Sequence, residues 1–121
     1  MDTLELARHF VSVIEGGDID AVRACYADDA RIWHNFDDVE QTVDENMKVL
    51  AWMMKNAASR RYEIRRLEAI EGGYLQQHVL HLETRAGESL EMPACLVVRV
   101  EDGKIRRLEE YLDPAPATKL Q

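Results

Sequence analysis

The chain has 121 residues, 46% hydrophobic and 31% charged, a balance that supports one packed core and excludes a disordered tract. Its formal net charge is −8, from 15 basic and 23 acidic side chains. Such a surface repels a phosphate backbone, so no nucleic-acid partner is expected. No apolar run approaches the roughly 20 residues that span a bilayer, so no membrane partner is expected. The start, Met1-Asp2-Thr3-Leu4-Glu5, carries acid where an export signal carries Lys or Arg, which makes the cytoplasm the expected location.

Asp2, with Glu5 three residues on, predicts a capped first helix whose buried stripe is Leu6, Ala7, Phe10, Val11 and Ile14. Gly16-Gly17 ends it, and Asp18 caps a short second helix with Ile19, Val22, Cys25 and Tyr26 on one face. Ala27-Asp28-Asp29-Ala30 reads as an acidic turn, followed by a short strand over Arg31-Ile32-Trp33-His34-Asn35-Phe36 and a loop opened by Asp37-Asp38. Thr42 and Glu45 form a capping box for a third helix, with Val43, Met47, Leu50, Ala51 and Met54 facing the core and Trp52 and Met53 widening the stripe.

Four strands are predicted after that: 61–70, 74–84, 90–100 and 105–112, with Glu71-Gly72-Gly73, Ala86-Gly87 and Asp102-Gly103 as the turns. Pro114 and Pro116 stop the last strand, because proline lacks the ladder donor, and leave 114–121 as a tail to a core of 4–113. A two-residue turn at Ala86-Gly87 sets Glu83 against Leu90, His81 against Met92, Val79 against Ala94 and Gln77 against Leu96. That register puts His81 on the apolar face of Leu90, Met92, Ala94 and Leu96, and His78 on the other; a bulge reverses the two. The opposite face, with Glu91, Cys95, Val97 and Arg99, is mixed, which predicts a homodimer through the sheet. Arg60-Arg61 and Arg65-Arg66, interleaved with Glu63 and Glu68, read as solvated strand faces, and Cys25 and Cys95 as buried free thiols.

This order is α+β, and the whole chain is read as a single domain. At Gly17-Asp18-Ile19-Asp20-Ala21, Tyr26-Ala27-Asp28-Asp29-Ala30, Asp102-Gly103-Lys104-Ile105 and Glu110-Tyr111-Leu112-Asp113 it resembles the nuclear transport factor 2 superfamily, in its SnoaL-like and ketosteroid isomerase-like branch. The resemblance implies a cone-shaped fold: three helices on a strongly curved, mostly antiparallel sheet, around an internal apolar pocket. Counted from the Tyr26 stretch, the catalytic base of ketosteroid isomerases falls on His34, their oxyanion tyrosine on Phe10 and their oxyanion acid on Leu96. Apolar residues at two of the three positions remove the donors that stabilise a dienolate, so that mechanism is not expected. The arginine and two aspartates of limonene-type epoxide hydrolases are not evident.

His34 is therefore the leading candidate base, since imidazole exchanges protons near neutral pH. Glu110 shares a strand face with Leu108 and Leu112; if that face is inward the acid needs a partner, and a histidine is a natural one. One of His78 and His81 is expected to join them; His9 reads as exposed. Phe10, Ile14, Trp33, Asn35, Trp52, Met53, Met92, Leu96 and Leu112 are the candidate substrate contacts, with Met54 and Tyr74 as further wall. No metal-ligand spacing, phosphate loop or serine nucleophile motif appears, and no cofactor is called for. The expectation is a cofactor-free acid–base enzyme, an isomerase, aldol cyclase or dehydratase, acting on a small hydrophobic carbonyl or hydroxyl compound. The alternative is a non-catalytic protein that binds such a molecule in the same pocket.

Overall fold

A computed structural model describes all residues, 1–121. Helix α1 spans Thr3–Glu15 and α2 spans Ile19–Ala24; Asp2 Oδ1 accepts from Glu5 N at 2.8 Å and Asp18 Oδ1 from Ala21 N at 3.0 Å, as the capping signals predict. Helix α3, Val43–Asn56, starts on the expected box, with Thr42 and Glu45 bonding each other's backbone N–H. Leu6, Ala7, Phe10, Val11 and Ile14 are the buried stripe of α1. In α3 only Val43 and Met47 are fully buried; Ala51 is exposed and does not face the core.

The strands are β1 (Tyr26–His34), β2 (Glu40–Thr42), β3 (Ala57–Ile70), β4 (Gly73–Thr84), β5 (Ser89–Glu101) and β6 (Lys104–Leu112), in one open sheet of order β2-β1-β6-β5-β4-β3. All pairs are antiparallel except β1 with β6. The fold is thus the expected α+β arrangement of helices on a mostly antiparallel sheet. Phe10, Ile14, Tyr26, Ile32, Tyr74, Leu96 and Val98 meet in its main core.

Several boundaries differ from the sequence reading. The Ala27–Ala30 stretch is strand rather than turn: β1 begins at Tyr26 and crosses an irregular step before Arg31. Of its two acids, Asp29 is held by Arg106 at 2.7 Å. Short β2 was not expected, and β3 starts directly after α3, earlier than Arg61. Segment 114–121 does not trail away: Ala115–Leu120 forms a 3-10 helix whose buried Leu120 packs with Leu80, Leu82, Leu90 and Met92. Cys25 is buried but Cys95 only partly so, and His9 is half-buried rather than exposed.

The largest correction is the β4–β5 hairpin. Thr84 N donates to Glu88 O at 2.7 Å, so the connection is Arg85-Ala86-Gly87, with Gly87 at φ 91. A loop of that length ends in a left-handed residue, for which glycine is suited. The extra residue slides the register by one: Leu80 faces Met92, His78 faces Ala94, Gln76 faces Leu96 and His81 faces Glu91. His78 is therefore on the inner face and His81 on the outer, the reverse of the two-residue reading.

Candidate active site

Between the inner sheet face, the helices and the C-terminal 3-10 helix lies a cavity of about 390 Å³. Of its 29 lining residues 21 are hydrophobic, so the few polar groups among them decide what chemistry it can hold. Phe10, Ile14, Trp52, Met53, Met92, Leu96 and Leu112 all line it, as do His34, His78 and Glu110.

Parallel pairing of β1 with β6 sets His34 beside Glu110, and β5 sets Leu96 on the other side of Glu110. His34 Nε2 lies 3.1 Å from Glu110 Oε1, with side chains 12% and 24% exposed. His34 Nδ1 is buried with no partner. An unpaired lone pair costs less than an unpaired N–H, so a neutral ring here carries its proton on Nε2, the nitrogen nearer the carboxylate. The chain offers Glu110 Oε2 no partner. Phe36 covers the imidazole, ring centres 5.3 Å apart.

A second polar pair stands across the cavity. Gln76 and His78 are two residues apart on the inner face of β4, and Gln76 Nε2 is 2.9 Å from His78 Nδ1. Tyr62, on β3, meets the His78 ring edge-on at 4.8 Å. Burial pulls the His78 imidazole below its ordinary value, and the Glu110 carboxylate opposes that pull only partly. Burial, and next the charge of Glu110, push the Tyr62 phenol up, so it stays protonated.

A pH dependence follows. An unfolded histidine titrates near 6.5, whereas His78 in the fold titrates lower. Between those values the unfolded chain binds more protons, so stability rises with pH there and is lost as pH falls below about 6.5. The drop in urea midpoint from about pH 7.5 to about pH 5.5 should be smaller in His78→Gln than in the wild type. Equal drops would show that the ring is not held neutral.

Three expected contacts stand elsewhere. His81 is on the outer face, 2.8 Å from Glu63 and 3.6 Å from Glu91, and cannot reach the cavity. Trp33 also points outward, its Nε1 donating to Asp38 at 2.7 Å and its ring packing on Tyr111. Asn35 Oδ1 accepts from Leu112 N at 2.9 Å and so fastens the end of β6 rather than lining the cavity. Tyr74 is core, fully buried, and Met54 packs against that core without reaching the cavity. The sequence reading missed Gln76, Tyr62 and the closing residues Pro114, Ala117 and Leu120. Gln76 and Gln77, two amides beside His78 that need partners if buried, were the available signal for Gln76.

No helix is long and apolar enough to cross a membrane. No curated protein matches the sequence. Solved structures do match by fold. AclR, a candidate hydroxylase from Streptomyces galilaeus, superposes with a TM-score of 0.87 at 14% identity, over 98% of this chain and 95% of that one. A candidate SnoaL-like polyketide cyclase from Shewanella denitrificans OS-217 gives 0.82 at 9% identity, over 98% and 95%. An LEH-like epoxide hydrolase of M. tuberculosis gives 0.78 at 20% identity, over 98% and 87%. At such identities these likenesses establish the fold and not the reaction. The pattern of the SnoaL-like domain family matches residues 7–108, and with this fold beneath it the chain belongs to that family.

Proposed function

We propose that the cavity is an acid–base active site, acting without a cofactor on a small hydrophobic molecule with a carbonyl or hydroxyl group. The observation that carries this reading is the His34–Glu110 contact of 3.1 Å at the wall of an apolar hollow. A carboxylate fixed through one oxygen and free at the other is a proton acceptor aimed at whatever fills the hollow. His34 holds Oε1 and shares the proton; Oε2 meets the substrate. Isomerisation, aldol cyclisation and dehydration all need such a transfer at a carbon beside a carbonyl. The cyclase, hydroxylase and epoxide hydrolase among the fold relatives show how widely this scaffold is used.

The test needs no knowledge of the natural substrate. Protein in deuterated water should speed exchange of the α-hydrogens of a hydrophobic ketone, 2-tetralone, and His34→Ala should lose about 10² to 10⁴ of that rate. Stoichiometric binding of 2-tetralone with no exchange by the wild type would favour the non-catalytic binding alternative.

We also propose that two copies pair through the outer sheet face. Cross-strand neighbours Leu75 with Val97 and Cys95 with Tyr111 put apolar side chains there, interrupted by polar Gln77, and Tyr111 is 46% exposed. Light scattering should give twice the chain mass of 13.9 kDa; the single-chain mass at micromolar concentration ends the idea.

A further inference from the structure

We propose that His78, fixed by Gln76, is a neutral hydrogen-bond donor for a substrate carbonyl, which makes the ligand an enolisable ketone or ester rather than an epoxide or simple alcohol. This deepens the acid–base reading and rests on it for the reaction, though not for the binding of the carbonyl.

The placement comes from the sheet. Glu110, Leu96 and Gln76 stand in one cross-strand row, and His78 is the next inward residue after Gln76 on β4. The two polar pairs are separated by the β5 strand, two strand spacings or about 10 Å, with apolar Leu96 and Ala94 between them. A ketone's α-carbon and oxygen, with a contact of about 3 Å at each end, bridge most of that gap.

The tautomer follows from the amide. Gln76 has 0% exposure, so both ends of its side chain matter. With Nε2 donating to His78 Nδ1 the amide leaves its acceptor, Oε1, and the second N–H of Nε2 unpaired. The flipped amide would leave the NH₂ group and its two donors unpaired, which costs more. The network thus assigns the lone pair of His78 to Nδ1 and its proton to Nε2. The chain gives Nε2 no partner, and the residue lines the cavity. Burial keeps the ring uncharged, so Nε2–H donates a hydrogen bond without giving up its proton.

The step balances without an added reactant. The α C–H bond breaks and its proton goes to the His34–Glu110 pair. The released electron pair forms the new C=C bond, and the carbonyl π pair moves onto oxygen, where His78 Nε2–H stabilises it. Returning the proton, at the same or another carbon, restores the carbonyl.

The experiment reads the carbonyl itself. In infrared spectra, the C=O stretch of 2-tetralone bound to wild-type protein should lie at lower wavenumber than in hexane. In His78→Phe it should return towards the hexane position, and in His34→Ala it should stay shifted. α-Deuterium exchange should slow by about 10² to 10³ in His78→Phe. Gln76 is a positioning residue, so Gln76→Leu should change the ¹⁵N shifts of His78 from the Nε2–H pattern to a tautomer mixture. His78→Asn, which keeps a donor, should retain part of the infrared shift if the phenylalanine variant fails to fold. Failure of wild-type protein to bind 2-tetralone, an unshifted stretch, or a shift that survives in both His78 variants would overturn the assignment. Loss of exchange in no His34 variant would instead sink the acid–base reading and leave the carbonyl contact standing.

Discussion

Glu110→Gln should lower α-proton exchange by about 10² to 10⁴ while leaving the unfolding midpoint close to that of the wild type. The substitution keeps the shape of the side chain and removes its charge. Glu110 sits between His34 and Leu96 on the inner face, and Oε1 is the atom that meets His34 Nε2 at 3.1 Å. An amide oxygen at that place still stands beside His34 Nε2, so the local packing survives. What disappears is the lone pair basic enough to take a proton from carbon. His34→Ala acts differently: the carboxylate remains but swings free of its anchor. Exchange should therefore fall at least as far in Glu110→Gln as in His34→Ala. Glu110→Gln with near wild-type exchange would move the base to His34, and two unaffected variants would leave the cavity a binding site.

The pairing of His34 with Glu110 was half legible in the sequence. Alternation along β6 joins Leu108, Glu110 and Leu112, and a buried acid needs a partner. Which histidine supplies it depends on the parallel β1–β6 ladder, and no turn between those strands records that pairing. Hairpins do leave such records: Asp102 at φ 52 and Gly103 at φ 73 form the tight turn their dipeptide announces. The β4–β5 turn misleads because Ala86-Gly87 suits either a two-residue loop or the last two places of a three-residue loop. β4 itself does not arbitrate, since both phases mix apolar and polar residues: Leu75 and Val79 with Gln77 and His81 outward, Leu80 and Leu82 with Gln76 and His78 inward. His78 and His81 changed faces on that one residue. Helix caps, by contrast, are local contacts between residues three apart, and all three were read correctly. The C-terminal segment was misread because proline signals the end of a ladder and is silent about packing afterwards. Leu120 was the clue, an apolar residue in a stretch otherwise fit for solvent.

The same sheet makes one backbone position unusually intolerant. A Cβ added at Gly73 would lie 1.8 Å from Val98 O, 2.8 Å from Val98 C and 3.0 Å from Arg99 Cα. These are backbone atoms of the neighbouring strand, so no side-chain rotation relieves the clash. β5 passes close there because its ladder with β6 carries an irregular step between Arg99 and Val100, and Val100 N donates to Gly72 O at 2.8 Å. Moving β5 away would loosen Val98 and Tyr74, both in the main core. Gly73→Ala should therefore cost about 3 kcal/mol or more in urea unfolding, a large share of the roughly 5–15 kcal/mol that holds such a domain folded. Gly72→Ala is the control. It has φ 79 but nothing within 4 Å of its added Cβ, so it should cost only about 1 kcal/mol of left-handed strain. Equal costs at the two positions would mean that β4 and β5 do not approach so closely. The row that seats Gln76 opposite Leu96, only three residues along β4, would then need redrawing.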